Sequence, residues 1–208
     1  METVFRYVLW DLQWFASQNV RAFLALHAGA VTTREGAILL PASRDTGKST
    51  LVASLLQRGF RYLSDEIGPI DPVTGRAYPF PKHLHLDQNA LNSFPGLEER
   101  LADRNGHSRG RLDRTVRPQD LDAELGGPSP VRAVVFMTSE RDGSPHLSPM
   151  SKAEAVERMA ENCFNLHRYA ERGVILFSRI AASAPAFTLE GGSAQERAEL
   201  LAERFEPT

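Results

Sequence analysis

The sequence carries a single cysteine, Cys163, so it can form no internal disulfide, and that usage fits a reducing compartment. No apolar run approaches the ~18 to 20 residues that a membrane span requires. Neither charge dominates: Lys and Arg number 24 against 26 Asp and Glu, a formal net charge of −2, which argues against nucleic-acid or polybasic membrane partners. The apolar start (Val4, Phe5, Val8, Leu9, Trp10) is broken by Asp11, and no basic region precedes it, unlike a signal peptide. The expectation is a cytoplasmic protein with no nucleic acid and no membrane as partner. Internal repeats and convincing linkers are also missing, and 208 residues suit one sizeable core, so residues 1–208 read as a single α/β domain.

What the chain does have is a succession of short apolar runs punctuated by turn residues. Residues 4–24 are compatible with an amphipathic opening element. The runs 24–33 and 37–41 flank Arg34-Glu35-Gly36, a spacing that predicts a β-hairpin with Gly36 at the turn. Leu51, Val52, Leu55 and Leu56 then recur at helical spacing up to a stop at Gly59. Residues 60–63 and 67–70 read as strands, and Asp71-Pro72-Val73-Thr74-Gly75 as a turn. From 104 to 127 apolar content falls, and Arg104, Arg109, Arg111, Arg114 and Arg117 alternate with acids. The interspersed acids favour a long solvated surface loop over an arginine clamp for phosphate or an acidic peptide. Residues 131–138 read as a buried strand. Ser151-Lys152-Ala153-Glu154 and Ser193-Ala194-Gln195-Glu196 are capping boxes that open two helices, the first with Val156, Met159, Ala160, Cys163 and Phe164 on its apolar face.

Chemistry concentrates at residues 42–50, Ala-Ser-Arg-Asp-Thr-Gly-Lys-Ser-Thr, between the second apolar run and the helix. This is the strand–loop–helix setting in which backbone amides and a helix N-terminus bind phosphate. Gly47 lets the backbone approach phosphate oxygens, Lys48 reaches the outer phosphates, and the Ser49 hydroxyl can ligate Mg2+. Ser43, Arg44, Asp45, Thr46 and Thr50 complete the candidate nucleotide loop. Two features depart from the usual pattern. Ala42 stands where glycine is expected, and Asp45 adds a carboxylate, whose repulsion toward a phosphate at 4 Å is about 4 kcal/mol at an effective dielectric of 20. Arg44 beside it can neutralise that charge, or Asp45 can point to solvent.

Asp65-Glu66 ends a predicted strand 17 residues after Lys48. A strand end there brings carboxylates to the sheet edge beside the loop, where one can hold Mg2+ and the other accept a proton from an attacking hydroxyl. His27 lies 21 residues before Lys48, in an apolar strand between the small residues Ala25 and Gly29 on its own face. His83 and His85 sit at strand spacing without a further ligand at metal-site spacing. No Asn-Lys-x-Asp guanine-reading motif is present.

Leu26-His27-Ala28, Gly47-Lys48-Ser49-Thr50 and Leu63-Ser64-Asp65-Glu66, with Arg58-Gly59-Phe60 between the last two, follow in an order and at intervals that resemble the catalytic domain of HPr kinase/phosphorylase. The likeness is closer to the short stand-alone relatives of that kinase, which share the Leu-Pro-Ala start of the loop, its Gly-Lys-Ser-Thr-Leu end and the Ser-Asp-Glu after it. Some of these act in peptide maturation, including kinases that phosphorylate a serine of lasso-peptide precursors. The resemblance covers roughly residues 24–71, with a weaker extension through Pro79-Phe80-Pro81-Lys82 and residues 160–165.

The resemblance implies a phosphoenolpyruvate-carboxykinase-like α/β core with a mixed sheet. It also implies ATP and Mg2+ as cofactors and phosphoryl transfer to a hydroxyl, most naturally a serine of a peptide or protein. Lys48 and the loop backbone are then expected on the β- and γ-phosphates, and Ser49 and Asp65 at the metal. Asp65 is the leading base, supported by Glu66, and His27 hydrogen-bonds to the acid pair or to the transferred phosphoryl group. A homo-oligomer is implied as possible. The alternatives are a non-catalytic nucleotide- or peptide-binding module and a small-molecule kinase of the same fold. Against the family pattern, these residues contain no counterpart of the N-terminal domain of the full kinase, Arg44-Asp45 replaces a Ser-Gly turn, and no residue is assigned to a phosphorylase reaction.

Overall fold

A computed structural model describes residues 19–43, 46–105 and 115–208. Most of the expected opening element, Arg44-Asp45, and Arg109, Arg111 and Arg114 lie outside these residues.

The first hairpin forms as its spacing requires. Strand β1 (Leu24–Thr32) pairs antiparallel with β2 (Ala37–Pro41), in a register running from Thr32 opposite Ala37 to Ala28 opposite Pro41. The turn between them is closed by Thr33, whose Oγ1 accepts from the amides of Glu35 and Gly36 and donates to Gly36 O. Helix α1 (Lys48–Leu56) follows the loop and stops at Gly59, which adopts φ 88°, a left-handed conformation that glycine reaches without strain. Next come β3 (Arg61–Ser64), β4 (Ile67–Ile70) and the short β5 (Arg76–Ala77). Both β3 and β4 pair antiparallel with β1, β3 along its second half and β4 along its first.

Residues 84–127 hold more structure than their composition suggests. They include β6 (Leu84–His85), α2 (Gln88–Leu91), α3 (Leu97–Asn105), β7 (Thr115–Val116) and a 3-10 turn at Pro118–Leu121. Over residues 115–127 the expected solvated loop is corrected, because Val116, Leu121 and Ala123 are buried and pin this stretch to the core. Arg117 is held in a two-nitrogen ion pair with Asp120, and Arg100 pairs with Asp122.

The remaining elements are β8 (Ser129–Met137), β9 (His146–Pro149), α4 (Lys152–Glu161), α5 (Leu166–Tyr169), α6 (Glu171–Ser183), β10 (Ala186–Glu190) and α7 (Ala194–Arg204). The α7 capping box forms in both directions between Ser193 and Glu196. At α4 only half of the expected box is present, Ser151 accepting from the Glu154 amide. Helix α4 also ends at Glu161, so Cys163 and Phe164 do not continue its apolar face. They run alongside β1 instead.

The sheet is mixed. Strand β8 pairs parallel with β2 and β10, and antiparallel with β5. With β4 paired to both β5 and β1, the ladders β1–β2–β8–β5–β4 close into a circuit. Alternation along β1 divides the core. Leu24, Leu26, Ala28 and Ala30 pack with Met159 of α4 and Leu176 and Phe177 of α6. Val31, on the opposite face, packs with Leu51 and Leu55 of α1 and Leu201 of α7. Leu51 and Leu55 are fully buried, and truncating either to alanine removes about 2 to 5 kcal/mol of stability. Among the described residues no helix is long and apolar enough to cross a membrane.

Candidate functional site

The strand directions place the site. Strands β2, β8 and β10 run parallel, and β3 runs antiparallel to β1 as β2 does, so the C-terminal ends of all four lie at one end of the sheet. At that end gather the loop after β2, the turn after β3, the loop after β8 and the glycines after β10.

Helix α1 starts at the end of the loop. Gly47 is its N-cap residue, at φ 85° and ψ 20°. Thr46 is buried and closes the loop by donating from Oγ1 to Ser43 O at 2.9 Å. Ser43 is exposed, and Thr50 lies in the first turn of α1, its carbonyl accepting from Ser54. The Lys48 side chain turns back along β1: its Nζ donates to His27 Nε2 at 2.9 Å and to Ala42 O at 3.4 Å. An ammonium has no lone pair, so His27 Nε2 is the acceptor and carries no proton in this contact. Gly29 makes the crossing possible, since a methyl there would lie 2.8 Å from Val52 and 3.3 Å from the Lys48 stem.

The acid pair sits on a turn that its own sequence closes. Ser64 Oγ accepts from the amides of Glu66 and Ile67, which folds the chain back between β3 and β4 and leaves Asp65 at the apex. Asp65 is only 7% exposed. Its Oδ2 accepts from Ser49 Oγ at 2.9 Å, while its Oδ1 is buried without a hydrogen-bond partner among the described residues. Burial pushes its carboxyl up to about 6, against the opposing pull of the Ser49 hydrogen bond and the Lys48 charge. Glu66 has a different environment, because it is half-buried and ion-paired to Lys82. Lys82 is fixed in turn through its carbonyl, which accepts from the buried Tyr62 hydroxyl at 2.5 Å. Burial first, then the Asp65 and Glu66 charges, hold the Tyr62 hydroxyl protonated well above the ordinary tyrosine range.

The structure therefore brings His27, Lys48, Ser49, Asp65 and Glu66 into one cluster, and Arg44 and Asp45 lie outside the described residues. Two further contributors to this end of the molecule are segment 162–165, touched in the sequence only by the weaker resemblance, and Arg141, which had no signal. Segment 162–165 lies along β1, with Asn162 O accepting from the His27 amide, Asn165 Oδ1 accepting from the Ala25 amide, and the Phe164 ring 5.1 Å from the His27 ring. Arg141, in the loop after β8, reaches Gly47. Both depend on contacts more than 90 residues apart, which no local pattern encodes. His83 and His85 follow Lys82, the ion-pair partner of Glu66, and His85 lies on β6, which pairs with β7.

The donor set suits a polyphosphate with magnesium. A helix N-terminus, a glycine amide and an ammonium meet an anion. Magnesium prefers one or two carboxylate or hydroxyl oxygens, with waters and phosphate supplying the rest. Ser49 Oγ and the unpartnered Asp65 oxygen meet that description, whereas no group of three or more His, Cys, Asp or Glu able to hold a metal occurs among the described residues.

Neither a protein-family model nor a curated protein sequence matches this chain. Among solved structures, the Hpr(Ser) kinase/phosphatase from Coxiella burnetii is similar, at 12% identity and a TM-score of 0.42 over 86% of this chain and 94% of that chain. A likeness at this level defines neither a family nor an activity for the chain, so the geometry of the site has to carry the functional reading.

Proposed function

We propose that this chain is an ATP- and magnesium-dependent kinase that transfers the γ-phosphoryl group to a hydroxyl, a serine of a peptide or protein. The observation that carries the reading is Asp65, a buried carboxyl raised to about 6, with one oxygen on Ser49 and the other unpartnered, beside a helix start that presents Lys48. The resemblance of residues 24–71 supplies the acceptor class.

In this reading the loop amides and Lys48 bind the β- and γ-phosphates, and Ser49 and Asp65 hold the metal. Magnesium, when bound, supplies neutralisation of phosphate charge. Asp65 is mostly ionised at pH 7 and takes the proton of the acceptor hydroxyl as that oxygen attacks. Glu66, already paired with Lys82, is the weaker candidate for that proton. His27 accepts from Lys48 and so holds the ammonium between β1 and the Ala42 carbonyl.

Incubation with γ-labelled ATP, magnesium and serine-containing peptides tests the reading. Wild type is expected to label one of them and Lys48→Ala none; equal labelling by Lys48→Ala overturns it. A thermal-shift titration separates the alternatives, because a ligand at 100 times its Kd adds about 2.7 kcal/mol of stability. Stabilisation without transfer to any offered hydroxyl makes the chain a non-catalytic module. Transfer to small alcohols alone makes it a small-molecule kinase.

A further inference from the structure

The loop between β8 and β9 (residues 138–145) is largely exposed, yet several hydrogen bonds tie its backbone to the fold. Arg197 of α7 is 2% exposed and directs its guanidinium entirely at backbone carbonyls: Nε to Gly191 O at 2.6 Å, Nη1 to Thr138 O at 3.1 Å, and Nη2 to Glu140 O. Gly191 donates to Glu140 O, and Gly192 donates to both Arg141 O and Gly143 O. Gly191 and Gly192 take φ 70°, and a methyl on either would run into Ser144 or Pro145 at 2.4–2.8 Å, so only glycine permits this docking. The loop is thereby clamped with one side chain, Arg141, directed at the phosphate loop: a methyl at Gly47 would lie 2.7 Å from Arg141 Nη2. No carboxylate among the described residues pairs with Arg141, whereas Arg61, Arg100, Arg117 and Arg132 all have one.

From this we infer that Arg141 is a second phosphate-binding cation of the site, and that Arg197 with the Gly191–Gly192 pair is the latch that positions it. A guanidinium beside Gly47 presents paired N–H groups to an anion that also meets Lys48 and the loop amides. Arginine suits that role better than lysine because its planar fork matches two phosphate oxygens at once. The inference rests on the nucleotide reading of the loop.

The test uses calorimetric titration of the full chain with Mg·ATP and, separately, with inorganic tripolyphosphate. If wild type binds neither, the nucleotide reading falls, and this inference falls with it. Where wild type binds, Arg141→Ala is expected to weaken both ligands about ten- to hundredfold, with Arg141→Lys recovering only part. Unchanged affinity in Arg141→Ala overturns the inference while leaving the nucleotide reading standing. For the latch, Arg197→Lys is expected to weaken tripolyphosphate in the wild-type background and add nothing in the Arg141→Ala background. Gly192→Ala, which displaces the same loop through Pro145, serves if Arg197→Lys does not fold. An equal loss in both backgrounds shows that Arg197 only stabilises the fold, and overturns its positioning role.

Discussion

Helices α1 and α7 begin under the same electrostatic rule and resolve it in opposite ways. Each exposes unpaired amides and a partial positive charge at its N-terminus. At α7 the chain answers from within, with Ser193 accepting from the Glu196 amide and Glu196 reaching back to Ser193. At α4, Ser151 does half of the same work. At α1 the capping position is Gly47, which has no side chain to offer, and the first turn has no acid. Around that start stand Lys48, Arg141 and the Ser49–Asp65 pair. Helix α7 caps itself, while at α1 the Gly47 cap offers no side chain, and in the function proposed above an anion takes that place.

Ways to break that contrast can be ordered by expected effect. Lys48→Ala should remove phosphoryl transfer by a hundredfold or more, read as label incorporated per minute. Asp65→Asn should reduce transfer on a similar scale and move stability in a pH-dependent way. The folded state holds the Asp65 carboxyl above its ordinary 3.8, at about 6, so it favours the neutral form. The stabilisation from that form is complete below about pH 4 and is lost as pH rises through 6. Asparagine never ionises and escapes the loss, so Asp65→Asn should match wild type near pH 4 and exceed it by about 3 kcal/mol above pH 7. Denaturant midpoints at the two pH values check the sign.

Two substitutions at helix starts should have smaller effects. Gly47→Ser gives α1 the side chain that α7 has, but at φ 85° and against the Arg141 guanidinium. It should cost about 1 to 3 kcal/mol and weaken Mg·ATP severalfold or more in calorimetry. Ser151→Ala should lower stability by about 1 kcal/mol and leave Mg·ATP affinity unchanged. A loss of affinity there would mean that the two kinds of helix start are not separable.

Much of this was legible along the chain, and for a physical reason. The hairpin, α1 and the turn at Ser64-Asp65 are local structures whose period and turn residues lie within about ten positions of one another. The acid pair at a strand end was also legible, but its asymmetry was not. Glu66 is paired with Lys82, 16 residues on, and Asp65 with Ser49, 16 residues back, so their different surroundings are set by tertiary contacts. Composition misread residues 115–127, since Val116, Leu121 and Ala123 are too sparse to show a period yet each is buried. Helical spacing misread Cys163 and Phe164, because 3.6-residue periodicity continues in sequence after the helix has ended at Glu161. Arg141 gave no signal at all. Its approach to Gly47 depends on a latch from Arg197 and on glycines that read, in isolation, as an ordinary turn.

The closed circuit of ladders has a mechanical consequence. Lys48 is tied to β1 through His27, and Arg141 hangs from the end of β8, with β2 between those strands. Two ladder spacings, about 10 Å, therefore separate the two strands that anchor these side chains. Because β4 and β5 complete the path around the other side, neither strand can slide without breaking several backbone hydrogen bonds at once. The frame works like a fixed-gap caliper. Fit to ligands of different size has to come from the loops on its rim, and hydrogen exchange in β1, β2 and β8 should stay slow and equal whatever those loops hold.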